Sequence, residues 1–526
     1  MGFEISLRSD GWVSDSSGKL HVWAPLKPEF DLAALAQPLS QQTLAQLPGQ
    51  WTIVDQRSQS LVLASDRVRS HPLCYGFDGK NWVVTDDVNV FQGSSFWHLN
   101  RQDAALFPHI GYVLSDRTLL EGVRALQAGT RVELGEGGQL AHAPYFTYGF
   151  LPDPVTDQAE YAQLFTAALE ESLGRVLNQA GSRQLVIPLS GGLDSRLMAA
   201  FLKQLGAPNV LTFTYGKEGS KEGQISHSVA ADLHLPWLFV PLNPAQVRKE
   251  WASEQAREFM ASVWKGVALP HVQDYYALTQ MRQKELIDPD AVILPGHTIV
   301  GNMHDEQVLQ RRPSGQELNR LLALHHANQQ GRSRRICSAE EWLQTVRELA
   351  DQVRLGRTER DLQAYFEWFN IAERQAKYIN NSMAGYEFFG YSWALPMLDL
   401  PMWQVWVRGS EELTATRDWY ACYTDEIYYR QTGKHLGLFS PKSTQMSPAL
   451  KQQLLKGMRL LGADKLLAKY RSIRTMVNHP MAFEAFSRKA VPAQVGAYIL
   501  GASQMGLWAS EFVHNEWGNI VPSAQD

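Results

Sequence analysis

The stretch of the chain best suited to chemistry is the loop at residues 190–195, which reads Ser-Gly-Gly-Leu-Asp-Ser. Its two glycines allow backbone N–H groups to approach a ligand closely, and a helix that begins after the loop adds a positive N-terminal end. The hydroxyl groups of Ser190 and Ser195 can hydrogen-bond to phosphate oxygens, and the Asp194 carboxylate can hold Mg²⁺. A simple polar turn with an N-cap serine needs fewer such groups, so the loop indicates phosphate binding.

The residues on either side of this loop have the patterns of a strand and a helix. Residues 185–189 are an apolar run typical of a buried strand, and residues 196–205 have helical periodicity, with Gly206 placed to end the helix. No Gly-Lys-Ser or Gly-Lys-Thr follows, so the loop is not a Walker motif. The order strand, loop, helix is the one that a phosphate-binding loop requires.

This loop resembles the pyrophosphate loop, SGGxDS, of the N-type ATP pyrophosphatases, which include asparagine synthetases, GMP synthetase, NAD synthetase and β-lactam synthetase. The resemblance implies that the chain uses ATP and Mg²⁺, releases AMP and pyrophosphate, and activates a carboxylate as an adenylate. The residues that it implies for ATP binding at the loop are Leu189, Ser190, Gly191, Gly192, Leu193, Asp194 and Ser195.

Strands and helices alternate through the middle third of the chain. Residues 209–216 and 237–242 are predicted strands, and a further strand lies within residues 290–302. Predicted helices cover residues 157–181 and 221–235. This alternation predicts a doubly wound parallel sheet, which binds its ligand at the carboxyl ends of the strands.

The resemblance extends the ATP site to the ends of two further strands. In asparagine synthetases the end of the second strand receives the adenine, which implies Thr214 and Tyr215 here. After the fourth strand the family carries an acid that helps to hold magnesium pyrophosphate. This chain has Gly296 and His297 there without an acid, so Asp305 and Glu306, a few residues downstream, are the candidate substitutes, and Asp305 is expected to share the metal with Asp194. His297 is equally expected to be a hydrogen-bonded loop histidine.

A second block of resemblance covers residues 367–406. The strings at 373–377, Glu-Arg-Gln-Ala-Lys, and 386–391, Tyr-Glu-Phe-Phe-Gly-Tyr, are similar to those of asparagine synthetase relatives encoded with surface-polysaccharide genes. Where that family has a glutamate and an arginine, this chain has Ser392 and Ala394. The aromatic side chains of the block are expected to lie mostly in the core.

Three charged residues of this block are the candidate catalytic groups. Arg374 and Lys377 are one helical turn apart, so they can meet an acceptor carboxylate, an oxyanion or a pyrophosphate, or can form a solvated face. Glu387 is the nearest acid that could accept the proton of an attacking amine. The alternative for Glu387 is a structural ion pair with Arg374 or Lys377.

The N-terminal third is predicted to contain short strands, four of them within residues 47–87. Residues 63–77 and 111–134 resemble two segments of the glutaminase domain of asparagine synthetases. The family's nucleophile is a cysteine directly after the initiator Met, but this chain has Gly2 there, and the family's glutamine-binding motifs have no counterpart. We therefore expect a shortened, inactive glutaminase-like domain.

The predicted fold class is α/β, with a β-rich, shortened glutaminase-like domain of the Ntn-hydrolase type before a doubly wound parallel-sheet ATP pyrophosphatase domain with a helical C-terminal part. The predicted boundaries are 1–145 for the glutaminase-like domain, 155–440 for the ATP pyrophosphatase domain and 441–526 for a helical C-terminal extension.

Composition excludes several other classes of protein. A formal net charge of −5 argues against a nucleic-acid-binding surface, and no apolar run is long enough to span a bilayer. Three cysteines without paired spacing fit a reducing cytoplasm.

Two functional hypotheses follow. The first is an ATP-dependent amide-forming ligase that adenylates a carboxylate, suggested by the resemblance to be a sugar acid, and transfers it to ammonia or an amine. Its nitrogen would come from solution or from a partner glutaminase, and a homodimer is a further expectation. The second hypothesis is a nucleotide-binding protein of the same family that has lost catalysis, as the missing acid within residues 295–302 and the altered positions 392 and 394 suggest.

Overall fold

The structure is a computed structural model that describes residues 2–35, 39–301, 314–332, 340–351, 359–435 and 463–523. Its described strands form three sheets of four, six and five strands. The first two sheets belong to the N-terminal region, and the third lies in the middle of the chain.

The N-terminal region is a sandwich of two sheets. One sheet has the order β1-β7-β6-β8, with β1 and β7 parallel and the other pairs antiparallel. The other is antiparallel, with the order β10-β9-β5-β4-β3-β2. The strands are β1 (Phe3–Ser6), β2 (Trp12–Ser14), β3 (Leu20–Trp23), β4 (Thr52–Asp55), β5 (Leu61–Ser65), β6 (Cys74–Phe77), β7 (Trp82–Thr85), β8 (Val123–Ala125), β9 (Thr130–Leu134) and β10 (Leu140–Pro144).

The core of the sandwich is made by alternate side chains of both sheets. Val54 and Leu63 of the six-stranded sheet pack in one cluster with Tyr75 and Val84 of the four-stranded sheet, and all four side chains are fully buried. Alternation places every second residue of a strand on the same face, which is what lets the two sheets share this core. The four strands predicted within residues 47–87 are confirmed as β4 to β7.

The third sheet is entirely parallel and has the order β13-β12-β11-β14-β15. Its strands are β11 (Leu185–Pro188), β12 (Val210–Gly216), β13 (Trp237–Pro241), β14 (Val292–Ile293) and β15 (Ser392–Trp393). The chain runs outward from β11 to β13 and then returns to the other side of β11. The point where the order reverses therefore lies between β11 and β14, where doubly wound sheets bind ligands. The predicted α/β fold class is confirmed.

Helices cover both faces of this sheet and form most of the C-terminal third. The described α-helices are Gln41–Leu44, Arg101–Ile110, Gln158–Ala180, Leu193–Gln204, Lys221–Asp232, Pro244–Trp251, Glu254–Val263, Tyr275–Gln283, Gly315–His326, Glu340–Asp351, Glu359–Phe369, Ser382–Phe388, Leu400–Trp406, Glu411–Thr414, Asp418–Thr432, Ala463–Val477, Val491–Ile499 and Gln504–Val513. A π-helix covers Asn370–Ile379. No helix in the described ranges is both long and apolar enough to cross a membrane.

The C-terminal third is not only helical, as the sequence had suggested, because it supplies β15 to the edge of the parallel sheet. It also contacts the N-terminal sandwich directly. Phe512 in the helix Gln504–Val513 packs against Phe107 in the helix Arg101–Ile110, with ring centroids 5.9 Å apart. One buried apolar cluster accordingly runs from Trp23 and Cys74, on strands of the sandwich, to the last described helix, while the core between the two sheets forms a cluster of its own.

Candidate functional site

The loop at 190–195 leaves β11 at its carboxyl end and enters the helix Leu193–Gln204, as predicted. The helix begins three residues earlier than the sequence suggested, so Asp194 and Ser195 belong to its first turn. Gly192 is the N-cap and provides no side-chain hydrogen bond, so nothing on the cap residue covers the first-turn N–H groups. Such a helix start is suited to an anion.

The two loop serines hold the loop in shape. The Ser190 backbone N–H donates to Ser195 Oγ over 3.1 Å, and the Gly192 N–H donates to Ser190 Oγ over 3.1 Å. The two hydroxyl oxygens are 3.2 Å apart. Arg196, which is buried, donates through Nη2 to the Gly191 carbonyl over 2.8 Å. Hydrogen bonds among its own residues and Arg196 thus hold the loop in shape, and Asp194 takes no part in them.

A cavity of about 250 Å³ lies where the loop meets the segment that follows β14. A Cβ on Gly296 would lie 2.9 Å from the Ser195 backbone nitrogen, so only glycine permits this approach. The polar side chains and glycines lining the cavity are Asp194, Gly296, His297, Thr298, Gly301, Glu367, Asn370, Arg374, Gln375 and Arg417. The structure therefore brings together the predicted residues Asp194, Gly296, His297 and Arg374.

Two arginines give this cavity, which we call the loop cavity, its positive charge. Arg417 forms an ion pair through Nη2 with Asp194 Oδ1, and its buried Nε has no hydrogen-bond partner. Arg374 is half-buried and forms no ion pair or hydrogen bond within the described part of the chain. Burial raises the pKa of Asp194, and Arg417 opposes that shift. Arg374 and Arg417 have N–H donors that are not used within the described residues, and the helix that begins at Leu193 presents its N-terminal end. These groups together are suited to binding a polyphosphate.

Glu367 is a second carboxylate at the loop cavity. It is 1% exposed, and it accepts hydrogen bonds from Tyr148 Oη and, over 2.9 Å, from Gln363 Nε2. Burial raises its pKa. A Cβ on Gly301 would lie 2.5 Å from the Glu367 carboxyl carbon, so the chain after β14 passes directly over this acid. A carboxyl group in this environment can accept and return a proton.

His297 lines the loop cavity with a ring whose Nδ1 has no hydrogen-bond partner. Burial lowers the pKa of His297 to about 4, so the ring is neutral near neutral pH. This environment fits a ring that contacts a ligand through hydrogen bonds and not through charge.

The structure does not bring Lys377 to the loop cavity. The Lys377 side chain is 1% exposed, and its ammonium lies 2.6 Å from Glu373 Oε2. It also donates to the carbonyl of Val113 over 3.0 Å and to that of Ser115. Arg374 and Lys377 therefore point to different surroundings, although the sequence placed them on one helix face. Lys377 ties the π-helix to the N-terminal region.

Glu387 also lies away from the loop cavity. It lines a separate cleft of about 750 Å³ between the N-terminal sandwich and residues 384–393. Its Oε1 accepts a hydrogen bond from Trp393 Nε1 over 2.9 Å. The alternative ion pair of Glu387 with Arg374 or Lys377 is not formed, because Lys377 is taken by Glu373 and Arg374 faces the loop cavity.

The residues implied for the adenine have their polar groups engaged within the protein. Thr214 Oγ1 donates to the Leu189 carbonyl over 2.7 Å, and the Tyr215 hydroxyl donates to Asp274. Both residues are buried. They support the carboxyl end of β12 next to the loop. Adenine binding by Thr214 and Tyr215 stays a prediction.

The donor set at the loop cavity fits Mg²⁺ only in part. Asp194 is 21% exposed toward the cavity and Glu367 lines the same wall. Within the described ranges no group of three or more His, Cys, Asp or Glu side chains could hold a metal ion. Mg²⁺ is commonly bound by one or two carboxylates together with substrate phosphates and water, which is what these residues allow. The predicted second ligand, Asp305, lies outside the described residues.

Sequence reasoning missed Arg417 and Glu367. Arg417 follows no motif and directly precedes the helix Asp418–Thr432, so its charge alone carried no signal. The sequence does contain a signal for Glu367, because this acid lies within the aromatic run at 365–369, Tyr-Phe-Glu-Trp-Phe. A carboxyl group in such a run must be buried, and buried carboxyl groups need a partner or a function.

Comparison with known proteins supports the assignment of the loop. The family model for asparagine synthase matches residues 164–259, which include the loop, β12 and β13. No curated protein sequence matches the chain. Matching solved structures include NH3-dependent NAD synthetase from Campylobacter jejuni subsp. jejuni NCTC 11168 in complex with the nitrate ion, at 12% identity, 38% coverage of this chain, 95% of that chain and a TM-score of 0.21. NMN synthetase from Francisella tularensis matches at 14% identity, covering 42% of this chain and 97% of that chain, with a TM-score of 0.22. Because both TM-scores are far below 0.5, nothing about this chain is inferred from these two structures.

Proposed function

We propose that the chain is an ATP-dependent ligase that forms an amide, with the loop cavity as its active site. The observation that carries the proposal is the loop at 190–195 at the reversal point of the parallel sheet, whose Asp194 lines one cavity together with Arg374 and Arg417. The match of residues 164–259 to the asparagine synthase family model supports the same chemistry. Asp194 would hold Mg²⁺, which neutralises charge on the phosphates when bound.

The reaction proceeds in two displacements. A carboxylate oxygen of the substrate attacks the α-phosphorus of ATP, the bond to the β-phosphate oxygen breaks, and pyrophosphate leaves. Ammonia or an amine then attacks the carbonyl carbon of the acyl adenylate, and AMP leaves with the oxygen. The first-turn N–H groups and the two arginines stabilise the charge on the leaving pyrophosphate. Glu367, whose pKa is raised, accepts the proton of the attacking amine.

The acceptor suggested by the resemblance of residues 367–406 is a sugar acid. The nitrogen donor is free ammonia, an amine or a partner glutaminase, because the N-terminal region offers no usable thiolate. Burial raises the pKa of the Cys74 thiol to about 11, and the Gly2 amide nitrogen donates to Asn81 Oδ1 over 2.9 Å. The protein should release no glutamate from glutamine above a heat-inactivated control; steady release would overturn this part of the proposal.

Phosphorus NMR of the reaction mixture tests the proposal. The protein is incubated with ATP, Mg²⁺, ammonium and each of a set of sugar acids and amino acids, and AMP and pyrophosphate are expected in equal amounts. The Glu367→Gln variant should lose turnover and keep Mg²⁺-ATP binding, whereas Glu387→Gln should keep both. Formation of ADP and phosphate contradicts the reaction. Tight ATP binding with no turnover on any carboxylate favours the second hypothesis, a nucleotide-binding protein without catalysis.

A further inference from the structure

A surface near the C-terminus combines exposed apolar side chains with exposed cations. The helix Val491–Ile499 contains no charged residue, and at its end Ile499 is 50% exposed and Leu500 is 81% exposed. Val491 at its start is 41% exposed. Single exposed apolar residues are ordinary, but an uncharged helix with exposed apolar residues at both ends is not. We call this element the apolar helix.

A cationic helix, Ala463–Val477, lies beside the apolar helix. Lys469 Nζ donates to the Ile499 carbonyl over 2.9 Å, which fixes the two elements next to each other. Tyr470 on the cationic helix is 62% exposed, and Arg471 and Arg474 are also exposed. Neither arginine forms an ion pair within the described residues.

The charged residues between positions 469 and 501 are mostly cations. Between residues 469 and 501 the single acid is Glu484, which is buried and lies 2.6 Å from Lys217 Nζ. The exposed charged side chains of residues 469–474 are therefore Lys469, Arg471 and Arg474, all of them cations, although the whole chain carries a formal net charge of −5. Farther along, Lys489 is paired with Glu516 over 3.5 Å. A local positive field on a negative protein points to an anionic partner.

We propose that residues 469–474 and 491–500 bind the surface of an anionic lipid bilayer. Leu500 and Ile499 enter the boundary between head groups and acyl chains, Tyr470 lies at head-group level, and the cations of the neighbouring helix meet lipid phosphates. Leu500 directly follows the helix and is the most exposed large apolar side chain among the described residues. The protein is then held at the membrane from one side, with no segment crossing it.

Sedimentation of the full chain with vesicles tests this binding. Vesicles of phosphatidylcholine are compared with the same vesicles containing phosphatidylglycerol, and binding is expected only to the second kind and should weaken with added salt. The double variant Arg471→Gln/Arg474→Gln should bind about 30-fold less, since each cation near an anionic surface contributes about 1 kcal/mol. Leu500→Gln should bind about tenfold less.

Matched variants elsewhere on the surface serve as controls. Leu151 is 48% exposed and Arg430 is 62% exposed, so Leu151→Gln and Arg430→Gln remove the same groups from other places. Both should sediment as the wild type does. No binding, equal binding to both kinds of vesicle, or equal loss in the control variants would overturn the proposal. A dimer in solution that Leu500→Gln dissolves, without vesicle binding, would also overturn it and assign the face to self-association.

Discussion

Two ion pairs of the molecule have opposite surroundings. Asp194 and Arg417 meet at the loop cavity, where their side chains are 21% and 27% exposed. Glu373 and Lys377 meet in the interior, where both side chains are 1% exposed. Lys377 is further bonded to the carbonyls of Val113 and Ser115, and Glu373 accepts the Ser115 N–H over 3.1 Å. The first pair has capacity left for a ligand, whereas the second is saturated.

The difference shows that charge in a candidate block does not identify a site by itself. Burying an ion pair costs hydration free energy that the attraction between the two charges only partly offsets. Further hydrogen bonds are therefore needed to stabilise the pair, and the Val113 and Ser115 carbonyls accept them here. The pair at the loop cavity keeps water on one side and can exchange its partner. Burial pulls the pKa of Lys377 down and the pKa of Glu373 up, and the ion pair opposes both shifts.

Breaking the buried pair should have the largest effect on stability. Lys377→Met leaves the Glu373 carboxylate buried without its cation, so the free energy of unfolding should fall by about 3–5 kcal/mol. Thermal unfolding measures this change, and Mg²⁺-ATP binding per folded molecule should be retained. The double variant Glu373→Gln/Lys377→Met should recover part of the loss. An unchanged melting temperature together with lost amide formation would instead support a catalytic Lys377.

Removing a cation from the loop cavity should weaken ligand binding and leave stability nearly unchanged. Arg374→Gln deletes a guanidinium that has no partner among the described residues, so the free energy of unfolding should change by less than about 0.5 kcal/mol. ATP affinity should fall about 10- to 100-fold, as for the loss of a charged hydrogen bond. Calorimetric titration measures the affinity, with Arg430→Gln as the control. Equal affinity in both variants would remove Arg374 from the site.

A third ion pair gives an effect on stability that depends on pH. Glu29 Oε2 lies 2.7 Å from Arg175 Nε, and Asp399 is nearby. Burial, together with repulsion by Asp399, raises the pKa of Glu29 to about 7. The folded state therefore binds this proton more tightly than the unfolded chain, whose ordinary value is 4.5. The contribution to stability is present below 4.5 and is lost as the pH rises through 7.

Urea unfolding at a series of pH values measures this loss. The free energy of unfolding of the wild type should fall between pH 4.5 and pH 7, with a slope against pH that corresponds to at most one proton. In Glu29→Gln this dependence on pH should be absent. Asp232→Asn, which removes a carboxylate far from Arg175, should keep the slope. If Glu29→Gln has the same pH dependence as the wild type, Glu29 is not protonated in the folded state.

Much of the fold could be predicted from the sequence because the signals were local. The apolar run before the loop, the helical period after it and the alternating strands β4 to β7 depend on neighbouring residues, and the structure confirms them. Strands β1 and β15 could not be predicted. β1 pairs with β7, almost eighty residues later, and β15 is two residues long and exists through pairing with β14. Such strands depend on distant partners and not on their own pattern.

The site could be predicted only where a motif carried it. Asp194 is predicted from SGGLDS, and Gly296 and His297 from the resemblance after the fourth strand, and all three line the loop cavity. The resemblance of residues 367–406 predicts catalytic roles for Glu387 and Lys377, but the structure places both side chains away from the loop cavity. The sequence does not show in which direction each side chain of the block points. In the structure, the π-helix Asn370–Ile379 turns Arg374 toward the loop cavity and Lys377 toward the N-terminal region.

The most direct test of the account is calorimetric titration of the wild type and three variants with Mg²⁺-ATP. Asp194→Asn and Ser190→Ala alter the loop, while Asp232→Asn alters an aspartate that is equally exposed, at 21%, and is also paired with a cation, Lys434. We expect the two loop variants to bind at least about tenfold more weakly, since each loses a hydrogen bond or charge at the phosphates, with melting temperatures close to that of the wild type. Asp232→Asn should bind as the wild type does. Unchanged affinity in both loop variants would contradict the assignment of residues 190–195 as the ATP site.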